Sequence, residues 1–160
     1  MKLRRATAAD AAWVNAAYDG VHFQHSDLLR DLVIVAEIDG AHAGLGRLVP
    51  AGEDACELGG MLVFDEYRGR GVARAIIDEL LRHANGRRVY CVPFADLESV
   101  YAKAGFARRA LDASVPRYVR EKVEWCEREI DRAVILMELT SESTRDALPS
   151  PPRTSPGTSK

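Results

Sequence analysis

The residues best suited to chemistry lie in segment 61–73, where an apolar strand runs into Arg68-Gly69-Arg70-Gly71 and then into an amphipathic helix. The first turn of a helix presents unpaired N–H groups and a partial positive charge. Because Gly69 and Gly71 have no side chains, a phosphate can approach these amides closely. The pattern predicts a pyrophosphate cradle, and the alternative is a tight turn bordered by solvated arginines.

Two better-known phosphate loops do not fit this segment. No Gly-Lys-Ser/Thr follows the glycines, which excludes a P-loop. The glycine spacing differs from the dinucleotide fingerprint, and no acidic residue closes a second strand at the distance which that fingerprint requires.

Two separate motifs carry a resemblance to one family. Arg68–Ala73 resembles the Arg/Gln-x-x-Gly-x-Gly/Ala signature of GNAT-type N-acetyltransferases, and Val63 stands where that family has a valine. Val100–Phe106 resembles the Phe-Tyr-x-Lys-x-Gly-Phe segment of the same family. The resemblance covers Lys2–Leu139 and is sharpest over Glu57–Phe106, and two motifs in the right order are more specific than either alone.

The resemblance implies an α/β (α+β) fold, with a mixed, mostly antiparallel sheet flanked by helices. A splayed strand pair would hold acetyl-CoA (coenzyme A) as co-substrate, and no metal is implied. The pantetheine arm would pair with the backbone of Met61, Leu62 and Val63. The pyrophosphate would bind the backbone amides of Arg68, Gly69, Arg70, Gly71, Val72 and Ala73.

The resemblance also implies catalytic roles. Tyr101 would protonate the departing thiolate, since a tyrosine hydroxyl with a pKa of about 10 can share a proton with a thiol. Outside the family motif, Tyr101 is an ordinary half-buried helix aromatic. Glu57 is the candidate general base, with Glu53 and Asp54 nearby, and a solvated carboxylate is the alternative for each. The N–H of Val63 would polarise the thioester carbonyl.

The sequence departs from the family pattern beside these residues. Phe94 and Ala95 occupy positions where many members have an asparagine that contacts pantetheine. Val100 replaces the usual phenylalanine, and Asp65 stands where proline is frequent. These departures leave the loop and Tyr101 intact and put the details of pantetheine contact in doubt.

The function implied is an N-acyltransferase that moves an acetyl group to a primary amine by direct attack in a ternary complex. The alternatives are a catalytically silent acyl-CoA-binding domain that acts as a sensor, and an interaction module. The acceptor, a small-molecule amine or a peptide amine, would contact His22–Ser26 and Leu111–Glu129. His22 and His25 have the spacing of one helical face. A polyamine, an amino acid, an aminoglycoside-like compound and a protein amine all remain open.

Composition bounds the partners and the domain count. The 160 residues suit one domain over 1–140, and the Pro/Ser/Thr-rich segment 141–160 is predicted to be a disordered tail. With 22 basic and 24 acidic residues, the net charge of −2 gives no global attraction to nucleic acid or an anionic membrane. Three cysteines without CxxC spacing are typical of a reducing cytoplasm. A homodimer is left open.

The elements that must position these residues follow from hydrophobic periodicity and turn chemistry. Asp39-Gly40 between apolar runs predicts a hairpin. Segment 20–26 is a loop or a broken second helix. Predicted strands are 3–6, 32–38, 41–48, 56–64, 89–92, 106–111 and 133–139, and predicted helices follow Thr7 and cover 73–84, 96–104 and 117–129.

Overall fold

The computed structural model describes residues Met1–Thr140, so the predicted tail over 141–160 lies outside the described residues. Seven strands form one sheet in the order β1-β2-β3-β4-β5-β7-β6, and every neighbouring pair is antiparallel except β4–β5. The strands are β1 Lys2–Arg5, β2 Leu32–Ile38, β3 Ala41–Pro50, β4 Ala55–Val63, β5 Arg88–Cys91, β6 Phe106–Arg108 and β7 Met137–Leu139. The helices are α1 Ala11–Gly20, α2 Val72–Arg82, α3 Glu98–Lys103 and α4 Arg117–Glu129.

Local signals placed the elements well where they were strong. Helix α4 has the predicted bounds, and Asp39 and Gly40 form the predicted hairpin turn, both with positive φ. The strands predicted over 106–111 and 133–139 are shorter, because β6 and β7 pair with each other over only three residues. The region before α3 forms a short 3-10 turn, so the helix predicted over 96–104 begins later.

The segment after α1 corrects one expectation. No helix forms over residues 21–28, and His22 adopts a positive φ of 58° that ends α1 in a turn. His22 and His25 therefore do not share a helical face. His25 instead contacts Asp19 at 2.6 Å on the surface.

The helices cover the two faces of the sheet in pairs. Helices α2 and α3 pack on one face, where Ile76, Leu80 and Tyr101 join the largest apolar cluster. Helices α1 and α4 cover the other face through two separate clusters, one containing Val14 and one containing Val119. Because these two clusters do not merge, the region of the sheet between α1 and α4 is available to polar side chains.

The seat of α2 depends on two glycines of β3. A Cβ at Gly44 would lie 2.8 Å from the carbonyl oxygen of Leu62 and 3.0 Å from Val72 Cγ1. A Cβ at Gly46 would lie 2.8 Å from Ile76 Cγ2. The missing side chains let α2 lie close to the sheet, and this fixes where its N-terminus points.

We expect Gly44→Ala to lower the free energy of unfolding by about 1–3 kcal/mol, because its Cβ meets rigid backbone as well as the helix. Urea denaturation measures the change. Gly20→Ala is the control, since nothing lies within 4 Å of a Cβ there, and it should be neutral or stabilising. Equal stabilities for the two variants would contradict the tight seat of α2.

Candidate active site

The sheet opens in the middle. Strands β4 and β5 pair from Ala55 with Arg88 to Leu58 with Cys91, and then the pairing stops while β4 continues to Val63. At the same place β4 carries an extra residue: between Leu45 and Arg47 of β3, its partners step from Leu62 to Gly59. This bulge bends β4 away from β5, and Gly60 supplies the positive φ of 56° that it needs.

Beyond the opening, β4 has a neighbour on one edge only. The N–H of Phe64 donates to the carbonyl of Ala43 at 3.0 Å, and Val63 lies opposite Gly44 in the same ladder. Since an antiparallel ladder alternates its bonding direction, the N–H and C=O of Val63 face away from β3 and into the opening. Within the stretch Met61–Val63, where pantetheine pairing was expected, Val63 thus presents free backbone groups, while Leu62 lies opposite Leu45 and bonds to β3.

The glycine loop lies at the N-terminus of α2. Gly69 and Gly71 have φ values of 75° and 76°, and a Cβ on either would meet open space. Within residues 1–140, the N–H groups of 69–73 donate no backbone hydrogen bond outside the helix. The loop therefore offers several free donors at the positive end of the helix dipole.

The arginines around the glycine loop differ in the partners that hold their side chains. Arg68 pairs with Asp65 at 3.0 Å in a highly exposed contact, and Arg70 lies over the ring of Tyr67 at 5.6 Å. Arg74 is held along the helix, where it donates to Asp78 and to the carbonyl of Lys103, both at 2.9 Å. Arg68 and Arg70 thus remain exposed positive charges beside the loop.

Tyr101 lies on α3, on the α2 side of the sheet. Its side chain is buried and meets Phe106 edge-on at 6.1 Å between ring centroids. Burial raises the pKa of Tyr101 well above its usual range, and the nearby Cys91 and Glu57 raise it further. The hydroxyl therefore stays protonated at neutral pH, as a proton donor must.

Glu57 lies on the opposite face of the sheet and is 1% exposed. Its Oε2 has no hydrogen-bond partner, and a Cβ at Gly59 would collide with its carboxylate. Burial raises the pKa of Glu57, while the charges of Lys122 and Arg47 oppose that shift. Glu53 and Asp54 are exposed in the turn before β4. The solvated alternative is therefore wrong for Glu57.

Residues that the sequence did not single out surround Glu57. Arg47 of β3 is almost fully buried, and its Nη1 donates to the carbonyl of Gln24 at 3.0 Å. Above Gln24 lies a pocket of about 320 Å³. It is lined by Gln24, Tyr118, Glu121, Lys122, Glu124, Trp125 and Arg128. The signal that could have found Arg47 is its charge within the apolar run of β3.

Trp125, the three cysteines and Phe94 lie in different surroundings. Trp125 is half-buried at the pocket wall, with Lys122 Nζ 5.4 Å from its ring centre. All three cysteines are buried and unpaired, and burial raises the pKa of Cys126, which leaves it a poor nucleophile. Phe94, which replaces the family asparagine, pairs with Val134 in an isolated bridge and lies under Arg132.

A family model described as an acetyltransferase (GNAT) domain matches residues 30–108. The chain belongs to the GNAT N-acetyltransferase superfamily. The matched stretch of this GNAT domain runs from just before β2 to the end of β6 and so contains the parted strands, the glycine loop and Tyr101. No curated protein sequence matches the chain at a significant level.

Solved structures share the GNAT fold at low sequence identity. Rv2747 from Mycobacterium tuberculosis, in complex with CoA, is 21% identical over 87% of this chain and 98% of its own, with a TM-score of 0.69. Nourseothricin acetyltransferase is 18% identical over 86% and 96%, with a TM-score of 0.62. The expected mixed, mostly antiparallel α/β fold is confirmed.

A third neighbour is much longer than this GNAT domain. N-acetylglutamate synthase from Neisseria gonorrhoeae, complexed with coenzyme A and L-arginine, is 17% identical with a TM-score of 0.65. The match covers 86% of this chain and 33% of the synthase. At such identities, these neighbours establish the fold alone.

The helices and the metal-ligating side chains of residues 1–140 bear on membrane spanning and metal binding. No helix there combines the length and apolar character of a membrane span. No three histidine, cysteine, aspartate or glutamate side chains in the same residues converge as metal ligands. The expectation that the protein uses no metal stays a prediction.

We expect Glu57→Gln to raise stability and lower activity. Because the folded-state pKa of Glu57 is raised, its stability contribution is present below the ordinary carboxyl value of about 4.3 and is lost as pH rises through the raised pKa. At pH 8 the glutamine variant should therefore melt higher than wild type, and a gain of about 1 kcal/mol would raise the melting temperature by roughly 2–4 °C.

Thermal melts at pH 8 and pH 4 measure this effect, and the difference between wild type and variant should shrink at pH 4. The control is Glu53→Gln, which changes an exposed carboxyl four residues earlier and should leave the melting temperature unchanged. A Glu57→Gln variant that melts lower than wild type at pH 8 would show that the carboxylate is stabilised.

Proposed function

We propose that the protein is an acetyl-CoA-dependent N-acetyltransferase that acetylates a primary amine by direct attack in a ternary complex. The observation that carries the proposal is the free edge of β4 over Met61–Val63, which leads to the unbonded amides before α2. These are the two kinds of backbone donor that an amide-containing pantetheine arm and a pyrophosphate require.

The residues present fit coenzyme A in a specific way. The free amides of Gly69, Arg70, Gly71, Val72 and Ala73 would hold the pyrophosphate, with the side chains of Arg68 and Arg70 adding positive charge. The amide of Arg68, also expected to contribute, already donates to the carbonyl of Asp65 at 3.3 Å. Because no side chain occupies the space at Gly69 and Gly71, phosphate oxygens can reach the loop backbone. The free edge of Met61, Leu62 and Val63 would pair with the pantetheine amides, as an added strand does.

Three groups of the chain would then carry the acyl transfer. The amine nitrogen attacks the thioester carbon, the C–S bond breaks, and an amide forms. The N–H of Val63 faces the opening and would stabilise the developing oxyanion. Glu57 would accept the proton of the attacking amine through water, and Tyr101 would give its proton to the departing sulfur.

The positions of Glu57 and Tyr101 support their roles as general base and general acid. Glu57 lies on the α1/α4 face and Tyr101 on the α2/α3 face, so they approach the opening from opposite sides. Glu57 pairs with Tyr90 of β5 one residue before the last β4–β5 pair, so it lies where the opening begins. The burial that keeps Tyr101 protonated also makes a thiolate in the same site a stronger base.

The structural neighbours do not identify the acyl acceptor of this chain. The synthase complexed with coenzyme A and N-acetyl-glutamate and the nourseothricin acetyltransferase are named for different substrates. A location in the cytoplasm and a homodimer remain proposals from the sequence alone.

We expect Gly71→Val to weaken acetyl-CoA binding by about tenfold or more, because a side chain would enter the phosphate cradle. Isothermal titration with acetyl-CoA, beside desulfo-CoA, measures the effect, and wild type should bind both at micromolar concentrations. Gly86→Val is a matched control, since Gly86 follows α2 and has the same φ of 76° and equally open surroundings. No binding by wild type at millimolar cofactor would overturn the proposed function.

We expect Tyr101→Phe to lower kcat by about 100-fold and leave the dissociation constant of acetyl-CoA unchanged, because only the proton donor is lost. Thiol release with an amine acceptor gives kcat, and calorimetry gives the affinity. Tyr90→Phe serves as control, since Tyr90 is equally buried but faces α4. Cofactor binding without turnover by wild type for any amine would indicate the catalytically silent alternative.

A further inference from the structure

Arg47 is the only lysine or arginine among residues 1–140 that is buried, at 2% exposure. No aspartate or glutamate in that part of the chain lies within ion-pair distance of it. Its Nη1 donates to the carbonyl of Gln24 at 3.0 Å, and its guanidinium lies 4.8 Å from the ring centre of Tyr18. Its Nε is enclosed and has no hydrogen-bond partner.

A buried guanidinium in this state is costly. Removing a charge from water is offset only by a close counter-charge and by satisfied hydrogen bonds. A guanidinium has five N–H donors in a rigid fork, and one hydrogen bond with a carbonyl leaves most of them unused. The geometry that best completes the fork is a carboxylate.

Glu57 lies beside Arg47 on the same face of the sheet without bonding to it. The β3–β4 register places Glu57 opposite Val49, two residues from Arg47. Such diagonal neighbours have Cα atoms about 7–8 Å apart. The charge of Arg47 also lowers the pKa of Glu57 against the effect of burial. A fixed cation and a proton acceptor therefore lie near each other on this face of the sheet.

The pocket of about 320 Å³ has Gln24 and Lys122 in its wall, and neither Arg47 nor Glu57 lines it. Gln24 lies between the pocket and Arg47. Its backbone carbonyl accepts a hydrogen bond from Arg47, and its side-chain oxygen accepts one from Lys122 at 3.2 Å. Lys122 has no acidic partner among residues 1–140, and its charge acts on Glu57 as well. An anion that replaced Gln24 would meet both cations.

The pocket rim does not favour a polycation. Glu121 and Glu124 lie there beside Lys122 and Arg128, so the rim carries both signs. Deeper in, Arg47 lies near the buried carboxylates of Glu57 and Asp31, and Asp31 is already paired with Arg30 at 2.8 Å. A polyamine or aminoglycoside would offer no anion to the unused donors of Arg47, and a peptide N-terminus has no carboxylate next to its amine.

We propose that the acceptor is a small free amino acid, whose carboxylate binds Arg47 and Lys122 while its amine faces Glu57. This inference rests on the proposed function and names the substrate class of the same site. Binding of the carboxylate would require the backbone carbonyl of Gln24 to release Arg47 and its side-chain oxygen to release Lys122. Arg47 is the residue that sets specificity, since its Nε and unused Nη donors match the two carboxylate oxygens.

The first experiment measures thiol release from acetyl-CoA with the twenty proteinogenic L-amino acids, each beside its α-carboxamide. We expect kcat/KM for the best amino acid to exceed that for its amide by about 100-fold, the loss typical of a buried charge left unpaired. The same assay with spermidine tests the polycation alternative. Equal rates for acid and amide, or preferential turnover of spermidine, would overturn the inference.

The second experiment crosses this substrate change with a variant. Arg47→Gln should lower kcat/KM for the amino acid by about 100-fold, mainly through KM, and the loss for the amide should be at least about tenfold smaller. Arg47→Lys, which keeps the charge, should recover part of the loss. Arg120→Gln is the control, because Arg120 also donates to a backbone carbonyl and lies outside the pocket.

The outcomes separate the two proposals. Equal losses for acid and amide in Arg47→Gln would show a structural role and overturn the inference alone. So would wild-type turnover of amines with no preference for a carboxylate. Failure of wild type to bind acetyl-CoA would overturn the proposed function itself. Should Arg47→Gln not fold, the comparison of acids and amides on wild type still decides.

Discussion

The structure depends on one interruption: β4 stops pairing with β5 after Leu58. Backbone N–H and C=O groups are obligatory hydrogen-bonding groups, so a strand that loses a neighbour inside a sheet must find other partners. The bulge at Gly60 bends β4 at this place, and the hydroxyl of Tyr18 donates to the Gly60 carbonyl at 2.9 Å, which holds the bend from the α1 side. The free edge and the opening both follow from this bend.

The interruption brings together groups that a closed sheet would keep apart. In a closed sheet, side chains on opposite faces are separated by the backbone layer. Here Glu57 lies on one face just before the pairing stops, and Tyr101 lies on the other face. Gly44 of β3 lets Val72, the first residue of α2, pack close to Leu62 near the same free edge. Local geometry of the sheet therefore gathers the anion cradle, the free strand edge and the two titratable groups.

The same region holds two buried charged side chains whose hydrogen bonding is incomplete. Arg47 and Glu57 are both almost fully buried, and each has an enclosed atom without a partner. Core packing alone does not account for them, because apolar residues of similar volume would be at least as stable there. Groups kept in this state are typical of sites whose ligand completes them, at some expense of stability.

The sequence by itself determined the contiguous features: the glycine loop at Arg68–Ala73, the hairpin at Asp39-Gly40 and helix α4. Each depends on neighbours along the chain, so motif and periodicity suffice. The family motifs supplied the position of Tyr101 in the same way.

Only the tertiary structure decided which carboxylate is buried and which cation accompanies it. Glu57, Glu53 and Asp54 are close in sequence, and only packing between α1 and α4 takes Glu57 out of water. Arg47 meets Gln24 and Tyr18 through contacts more than twenty residues apart in the chain. Burial is a property of the assembled sheet and its two layers of helices, and no local pattern encodes it.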